Sequence, residues 1–179
     1  MMSEKLIVDA HTMQRTLARL SHEIIEQNPE EEVLYLVGIR RRGVPIAERL
    51  KANIEKFSEV PVELGELDIT FYRDDLTEKY TDPHLNKTSI PFDVNGKNIV
   101  LVDDVLFTGR TVRAAMDALI GLGRPARIQL AVMVDRGHRE LPISANYVGK
   151  NIPTSKSEFV SVRLTEVDGR DEVALSQRS

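Results

Sequence analysis

The residues best suited to chemistry lie in one short segment, from Ile99 to Thr111. Four apolar residues, which favour a buried strand, are followed directly by two carboxylates, Asp103 and Asp104. A Thr-Gly-Arg-Thr turn at 108–111 then leads into an amphipathic stretch, which favours a helix. The first N–H groups of a helix bind phosphate, and paired carboxylates bind hydroxyls or a hard metal ion. The segment therefore predicts a site for a phosphorylated sugar.

A purely structural alternative is a strand, a turn and a helix capped by threonine, with Asp103 and Asp104 solvated. Adjacent carboxylates repel each other, however, so their ionisation needs a compensating cation or hydrogen-bond donor. This requirement favours the ligand site over the solvated turn.

A second candidate is the segment Gly38–Gly43, which places Arg40, Arg41 and Arg42 between two glycines after the apolar run 33–37. Arginine pairs with phosphate oxygens through a fork of two N–H groups, and glycine permits a close approach of the backbone. The segment predicts a phosphate-binding loop. A solvated basic turn is the alternative.

The elements that must position these residues alternate along the chain. Apolar runs at 33–37, 99–102, 128–134 and 159–164 predict strands, and one or two more are expected within 60–72. Apolar residues at helical spacing predict helices after Asp9, Gly43 and Thr111. This alternation predicts an α/β domain with a central parallel sheet flanked by helices.

The carboxyl ends of parallel strands meet at one edge of a sheet, where ligands bind. Three polar segments follow predicted strands and should meet at that edge: Gly38–Gly43, Asp103–Thr111 and Asp135–Arg139. The polar stretch 73–91 has no clear period and predicts a long loop, of the kind that often forms a lid.

Composition narrows the class of protein. The chain has 179 residues, 41% hydrophobic and 29% charged, which fits a single globular domain over 1–179. The net charge of −4 restricts any nucleic-acid binding to a local basic face. There are no cysteines, no apolar run long enough to span a membrane and no signal-peptide pattern, so a cytoplasmic location is expected and no membrane partner.

The segment Val100–Thr111 resembles the phosphoribosyl-pyrophosphate (PRPP) signature of the type I phosphoribosyltransferases. The resemblance extends to Asp68–Leu76, Val134–Pro142 and Gly149–Ser155, which are similar to the pyrimidine operon attenuation proteins with uracil phosphoribosyltransferase activity. Purine-using relatives usually carry a Glu-Asp pair and an aspartate where this chain has Phe107.

The resemblance implies a type I phosphoribosyltransferase fold with a flexible hood at about 68–91, and a reaction of uracil with PRPP. It implies that Asp103 and Asp104 contact the ribose hydroxyls and, through water and PRPP, Mg²⁺, and that Arg73 in the hood acts in catalysis. The implied 5′-phosphate site comprises Val105, Leu106, Phe107, Thr108, Gly109, Arg110 and Thr111. The implied pyrophosphate site comprises Arg40, Arg41 and Arg42, and the implied base site Val134, Asp135, Arg136 and Ile152.

The same resemblance implies a second role, the regulation of pyrimidine genes by binding a leader mRNA stem-loop in response to UMP or UTP. A homodimer or larger homo-oligomer is expected. The implied RNA face includes Arg15, Arg19 and His22, which form a stripe on the first predicted helix. It is completed by Arg139, Lys150 and Lys156. Ala18, Arg41 and Ser144 depart from the residues usual in the family, which leaves the RNA affinity open. A regulator with little catalysis and a phosphoribosyltransferase for another nucleobase stay as alternatives.

Overall fold

The computed structural model of the chain describes residues 3–70, 72 and 87–177. The strands are β1 Ser3–Val8, β2 Leu34–Ile39, β3 Val62–Leu67, β4 Asn98–Leu106, β5 Arg127–Asp135, β6 Tyr147–Asn151, β7 Glu158–Arg163 and β8 Glu172–Gln177. The helices are α1 Ala10–Gln27, α2 Gly43–Phe57, α3 Arg110–Leu122 and the short α4 Thr165–Asp168. None of the helices in these ranges is long and apolar enough to cross a membrane.

The larger sheet has five parallel strands in the order β3-β2-β4-β5-β6. Helices α1 and α2 bury their apolar stripes on one face, and α3 buries Val112, Ala115 and Leu119 on the other. The predicted α/β architecture with a central parallel sheet is confirmed. Strand β4 lies in the middle of the sheet, between β2 and β5, and its pairing with β5 continues to Leu106.

Helix α1 begins where the sequence predicts. The Asp9 carboxylate accepts a hydrogen bond of 2.8 Å from the N–H of Thr12, which lowers the pKa of Asp9. The apolar stripe predicted for this helix is buried: Met13, Leu17, Leu20 and Ile24.

A second, antiparallel sheet has the order β1-β8-β7. The strand predicted at 159–164 forms, as β7, but it belongs to this sheet and not to the parallel one. Strands β1, β6 and β8 were not predicted, because polar residues and a glycine interrupt their short apolar runs. The two sheets share one core, in which Val162 and Val173 pack with the residues of α1 and α2.

Strand β4 is longer than the apolar run 99–102 that predicts it, and extends to Leu106. Asp103 is paired with Val132 of β5 and Val105 with Val134. The acidic pair therefore lies in the second half of a central strand, just beyond the end of its pairing with β2 at Val102, and its backbone is fixed by β5.

Two glycines allow the start of α2 to pack closely on the sheet, Gly43 against β4 and Gly38 against α2 itself. A Cβ atom on Gly43 would lie 2.2 Å from the carbonyl oxygen of Val102, and one on Gly38 would lie 2.6 Å from Cα of Val44. The close approach that glycine was expected to permit at this loop is therefore an approach to the backbone of β4, at the carbonyl of Val102. It brings the arginine loop, residues 40–42, beside the acidic pair.

We expect Gly43→Ala to lower the free energy of unfolding by roughly 1–3 kcal/mol, the cost typical of overpacked sites. Urea unfolding measures the change. Gly121→Ala is the matched control, because its added Cβ atom, in helix α3, would meet nothing nearer than the Tyr72 hydroxyl at 3.9 Å. The control should gain about 0.5–1 kcal/mol from helix propensity. Wild-type stability for Gly43→Ala would contradict the contact with β4.

Candidate functional site

A polar cavity of about 310 Å³ opens at the carboxyl edge of the parallel sheet. Three segments form its walls: the arginine loop after β2, residues 68–70 after β3, and residues 103–105 at the end of β4. The predicted pyrophosphate loop and the predicted acidic pair therefore line one cavity, which we call the cleft.

The acidic pair is held by local hydrogen bonds. One carboxylate oxygen of Asp103 accepts from the N–H of Asp104 at 2.8 Å, and one of Asp104 accepts from the N–H of Val105 at 2.9 Å. Asp103 is buried and Asp104 is half-buried. Among the described residues, no group of three or more His, Cys, Asp or Glu side chains could hold a metal ion. Mg²⁺ typically keeps several waters and uses substrate phosphates as ligands, so two carboxylates fit this ion.

The phosphate loop, residues 105–111, lines a second cavity of about 280 Å³ together with Val112 and Glu140. Gly109 has a φ of +96°, which only glycine adopts easily, and it directly precedes α3. The N-cap residue, Gly109, has no side chain to cap the helix, and the N–H of Arg110 donates to the Thr108 hydroxyl at 3.3 Å. The start of α3, from Arg110 to Val112, lines the cavity, which is where a helix binds an anion.

Two cations of the arginine loop are paired with carboxylates. Arg40 contacts Glu66 at 2.8 Å, and Arg42 donates to both oxygens of Asp168 at 2.7 and 3.2 Å. The hydrogen bond to Asp168 raises the pKa of Arg42 against the effect of burial. Arg41 is exposed, and the peptide bond between Arg40 and Arg41 is cis.

The predicted base region is assembled around a buried arginine. The Arg136 guanidinium lies 3.9 Å from the centre of the Phe107 ring and donates to Thr154 and to the Ser155 carbonyl, each at 3.1 Å. Burial lowers the pKa of Arg136. The Ile152 N–H donates to the carbonyl of Asp135 at 2.9 Å, so the four predicted base-site residues, Val134, Asp135, Arg136 and Ile152, lie together.

Two further residues of this region, His138 and Thr154, are not among the four predicted base-site residues, although they lie in the predicted segments Asp135–Arg139 and Gly149–Ser155. The His138 ring lies edge-on to Phe107, and its Nε2 atom is 2.5 Å from the Thr154 carbonyl oxygen. Thr154 also donates to the carbonyl of Arg136. The sequence signal for His138 is its place in the predicted segment Asp135–Arg139, where it follows Gly137 and adopts a φ of +67° in the structure.

The connection 136–143 is closed by Arg139, which sequence analysis assigned to the RNA face. Its guanidinium donates to Asp135 at 2.6 Å, to the Phe107 carbonyl at 2.6 Å and to the Ile143 carbonyl at 2.7 Å. Both oxygens of Asp135 are then in use, since the other accepts from the N–H of Gly137 at 3.0 Å. Arg139 thus joins the base region to the phosphate loop.

The geometry agrees with the comparisons to known proteins. A family model, the phosphoribosyl transferase domain, matches residues 4–166. The bifunctional protein PyrR of Clostridium novyi (strain NT) is 58% identical over 175 residues, which cover 98% of each chain. The bifunctional protein PyrR of Thermus thermophilus is 59% identical over 172 residues, covering 96% of this chain and 95% of the relative. The chain belongs to the PyrR family of phosphoribosyl transferases.

Solved structures extend the likeness beyond the PyrR family. A hypoxanthine-guanine phosphoribosyltransferase of Bacillus anthracis superposes with a TM-score of 0.73 at 17% identity, covering 97% of this chain and 98% of that one. The hypoxanthine phosphoribosyltransferase of Trypanosoma cruzi also gives 0.73 at 17% identity, with 98% and 97% covered. At this identity they show the fold alone, and they confirm the predicted type I phosphoribosyltransferase fold.

Most of the predicted hood, 68–91, lies outside the described residues, and so does Arg73. The two ends of the hood are described, and hydrogen bonds connect them. Glu66 and Ser89 exchange two backbone hydrogen bonds, of 2.8 and 2.9 Å, and the Asp68 N–H donates to the Thr88 hydroxyl at 2.9 Å. The segment therefore leaves and rejoins the fold beside the cleft.

The predicted RNA face divides into separate parts. Arg15, Arg19 and His22 are exposed on α1, and Arg19 donates to the carbonyl of Gly149 at 2.6 Å. The His22 ring stacks on Phe57 with 4.3 Å between ring centres. Lys150 is exposed on the edge strand β6, where alternation places it on the sheet face opposite α1. Lys156 is exposed on the connection to β7.

We expect Arg139→Gln to loosen the connection 136–143, because three carbonyl or carboxylate oxygens lose their charged donor. Stability should fall by about 1.5–3 kcal/mol, as for the loss of a hydrogen bond to a charged group. Amide hydrogen exchange should become faster at 136–143. The control is Arg124→Gln, which removes an exposed arginine after α3. Equal exchange in both variants would mean that Arg139 does not hold the connection.

Proposed function

We propose that this chain transfers the phosphoribosyl group of PRPP to uracil and releases UMP and pyrophosphate. The observation that carries the proposal is the meeting of the acidic pair, the phosphate loop and the arginine loop at one edge of the sheet. Membership of the phosphoribosyl transferase family supports the group that is transferred. The resemblance of the base region to uracil-using relatives supports the acceptor.

The reaction breaks the bond between the anomeric carbon and pyrophosphate, and joins that carbon to a ring nitrogen of uracil, which loses its proton. Positive charge develops on the sugar and negative charge on the leaving group. Fixed charges aimed at these positions supply most of the acceleration. Asp103 and Asp104 would hold the ribose hydroxyls, and the N-terminus of α3 would hold the 5′-phosphate.

The leaving pyrophosphate would bind the arginine loop, where Arg40, Arg41 and Arg42 concentrate positive charge. Bound Mg²⁺, held by PRPP and through water by Asp103 and Asp104, would neutralise part of the pyrophosphate charge. The hood would then close over the sugar and exclude water, with Arg73 directed at the pyrophosphate.

Main-chain groups would read the uracil edge. Val134 is fully buried, and the Asp135 carboxylate is already bonded to Gly137 and Arg139. The backbone of both residues is also paired within the sheet, and the Asp135 carbonyl accepts from Ile152. Val134 and Asp135 would therefore shape the base site, and the backbone around Ile152 would supply its polar contacts. Uracil presents two carbonyls and two N–H groups, which backbone amides and carbonyls can pair with. A panel of uracil, hypoxanthine and adenine with PRPP separates this proposal from transfer to another base.

We expect Asp104→Asn to lower kcat by about a hundred- to a thousandfold, the usual cost of one preorganised electrostatic contact. The fold should stay intact, because the asparagine oxygen can still accept from Val105. UMP formation with uracil, PRPP and Mg²⁺ is the measurement. Asp117→Asn, an exposed aspartate on α3, is the control for net charge and should keep wild-type activity. Wild-type turnover in Asp104→Asn would mean that the charge of Asp104 has no part in the reaction.

We also propose a regulatory role, in which uridine nucleotides control binding to a pyrimidine-operon leader RNA. The relatives are named bifunctional, which supports a second activity beside transfer. Exposed Arg15 and Arg19 supply cations on one helical stripe, which a chain of net charge −4 would need for attracting RNA. A homodimer would present two such stripes to one stem-loop.

We expect Arg15→Ala to weaken leader RNA binding and to leave UMP synthesis unchanged, because no residue of α1 lines the cleft or the phosphate-loop cavity. RNA affinity at several salt concentrations is the measurement. Removal of one phosphate contact should reduce the salt slope by about one. Arg124→Ala removes an exposed arginine after α3 and serves as control. Equal RNA affinity in both variants and the wild type would mean that the stripe does not contact RNA and is only a solvated helix face.

A further inference from the structure

The segment 164–171, which connects β7 to β8, reaches back to the start of α2. Its short helix α4 ends with Asp168, whose two carboxylate oxygens accept from the Arg42 side chain at 2.7 and 3.2 Å. Arg42 is the last residue of the arginine loop and lines the cleft. A residue far along the chain thus sets the direction of a cation in the proposed pyrophosphate site.

Asp168 is itself held in place. The N–H of Leu164, a fully buried residue, donates to Asp168 Oδ2 at 2.9 Å. Gly169 follows with a φ of +78°, which ends α4 and turns the chain into β8. The hydrogen bond with Arg42 holds the pKa of Asp168 below its ordinary value, so the carboxylate is ionised at neutral pH.

The segment 164–171 is also bound to α2 by a different arginine, Arg49, through ion pairs that do not involve Asp168. Arg49 lies two helical turns after Arg42 and pairs with Glu166 and with Asp171, the latter at 2.7 Å. Unlike Arg42, Arg49 does not line the cleft, and its Nη1 atom is 3.8 Å from the sulfur of Met13. Glu166 and Asp171 therefore fix the segment on α2. Asp168 instead contacts Arg42, which lines the cleft.

We propose that Asp168 is a positioning residue that directs the Arg42 guanidinium toward pyrophosphate in the cleft. The inference rests on the proposed function, because it takes the arginine loop as the pyrophosphate site. Asp168 occupies the Nε–Nη2 edge of the guanidinium, which has five N–H donors in all. The Nη1 edge lies outside this ion pair and can bind phosphate oxygens while the fork is kept.

The experiment compares Asp168→Asn with Glu166→Gln, which removes a charge of the same sign from the same segment. Titration calorimetry with magnesium pyrophosphate is expected to give about a tenfold higher Kd for Asp168→Asn, similar to the loss of residues that orient metal ligands. The Kd of Glu166→Gln should equal that of the wild type. UMP, which carries no pyrophosphate, should bind all three proteins equally, and this also shows that the variants are folded.

A double-mutant cycle identifies the route of the effect. In an Arg42→Gln background, Asp168→Asn should cause no further loss of pyrophosphate affinity, because the group it orients is gone. Asp168→Glu, which keeps the charge, should recover part of the affinity and is measured in place of Asp168→Asn if that variant does not fold. Additive losses in the cycle, or equal pyrophosphate affinity in Asp168→Asn and Glu166→Gln, would overturn the inference.

The outcomes also separate this inference from the proposed function. If the wild type binds magnesium pyrophosphate but forms no UMP from uracil, the proposed reaction fails and the cycle still tests Asp168. If the wild type forms UMP while Asp168→Asn binds pyrophosphate normally, the inference alone is wrong.

Discussion

The site depends on a contact between two stretches of backbone, the N-terminus of α2 and the carbonyl of Val102 in β4. A side chain at Gly43 would fill the space between them, since its Cβ atom would come within 2.2 Å of that oxygen. The contact fixes the distance between the arginine loop and the acidic pair, which come from segments about sixty residues apart. Parallel pairing of β2 with β4, and of β4 with β5, then places the phosphate loop and the base region along the same edge.

Two of the three described arginines that line the cleft are paired with carboxylates before any ligand binds. Arg40 is paired with Glu66 and Arg42 with Asp168, and each arginine side chain keeps about a third of its surface exposed, 33% and 34%. Partly exposed ion pairs of this kind contribute little to stability, about 0–1 kcal/mol. A multiply charged phosphate ligand can therefore draw Arg40 away from Glu66 at small cost to the fold, whereas it can bind the Nη1 edge of Arg42 with the Asp168 pair in place. Arg136 differs, because its charge is buried and depends on the Phe107 ring and on two oxygens of residues 154 and 155.

Much of this arrangement could be predicted from the sequence. The buried strands and the three amphipathic helices follow from apolar periodicity, and the Asp-Asp pair with the Thr-Gly turn predicts the cleft by residue type and spacing. The antiparallel sheet could not be predicted, because β1 and β8 are short and partly polar, and their stability comes from pairing with each other across the whole chain. The partners of Arg42 and Arg139 were missed for the same reason. A sequence shows that a cation is present, but the fold decides whether Asp168 or Asp135 lies within reach.

The pairing of β1 with β8 affects how the chain folds during synthesis. Ser3 is opposite Gln177 in the small sheet, so β1, the first described strand to leave the ribosome, can pair only after β8 has been synthesised. Contacts between residues so distant in sequence close large loops, which slows folding. The helix α4 that holds Arg42 lies between β7 and β8, and it is therefore also made late. A nascent chain can form most of its parallel sheet during synthesis, but its arginine loop should reach the final geometry only after translation of the C-terminal segment.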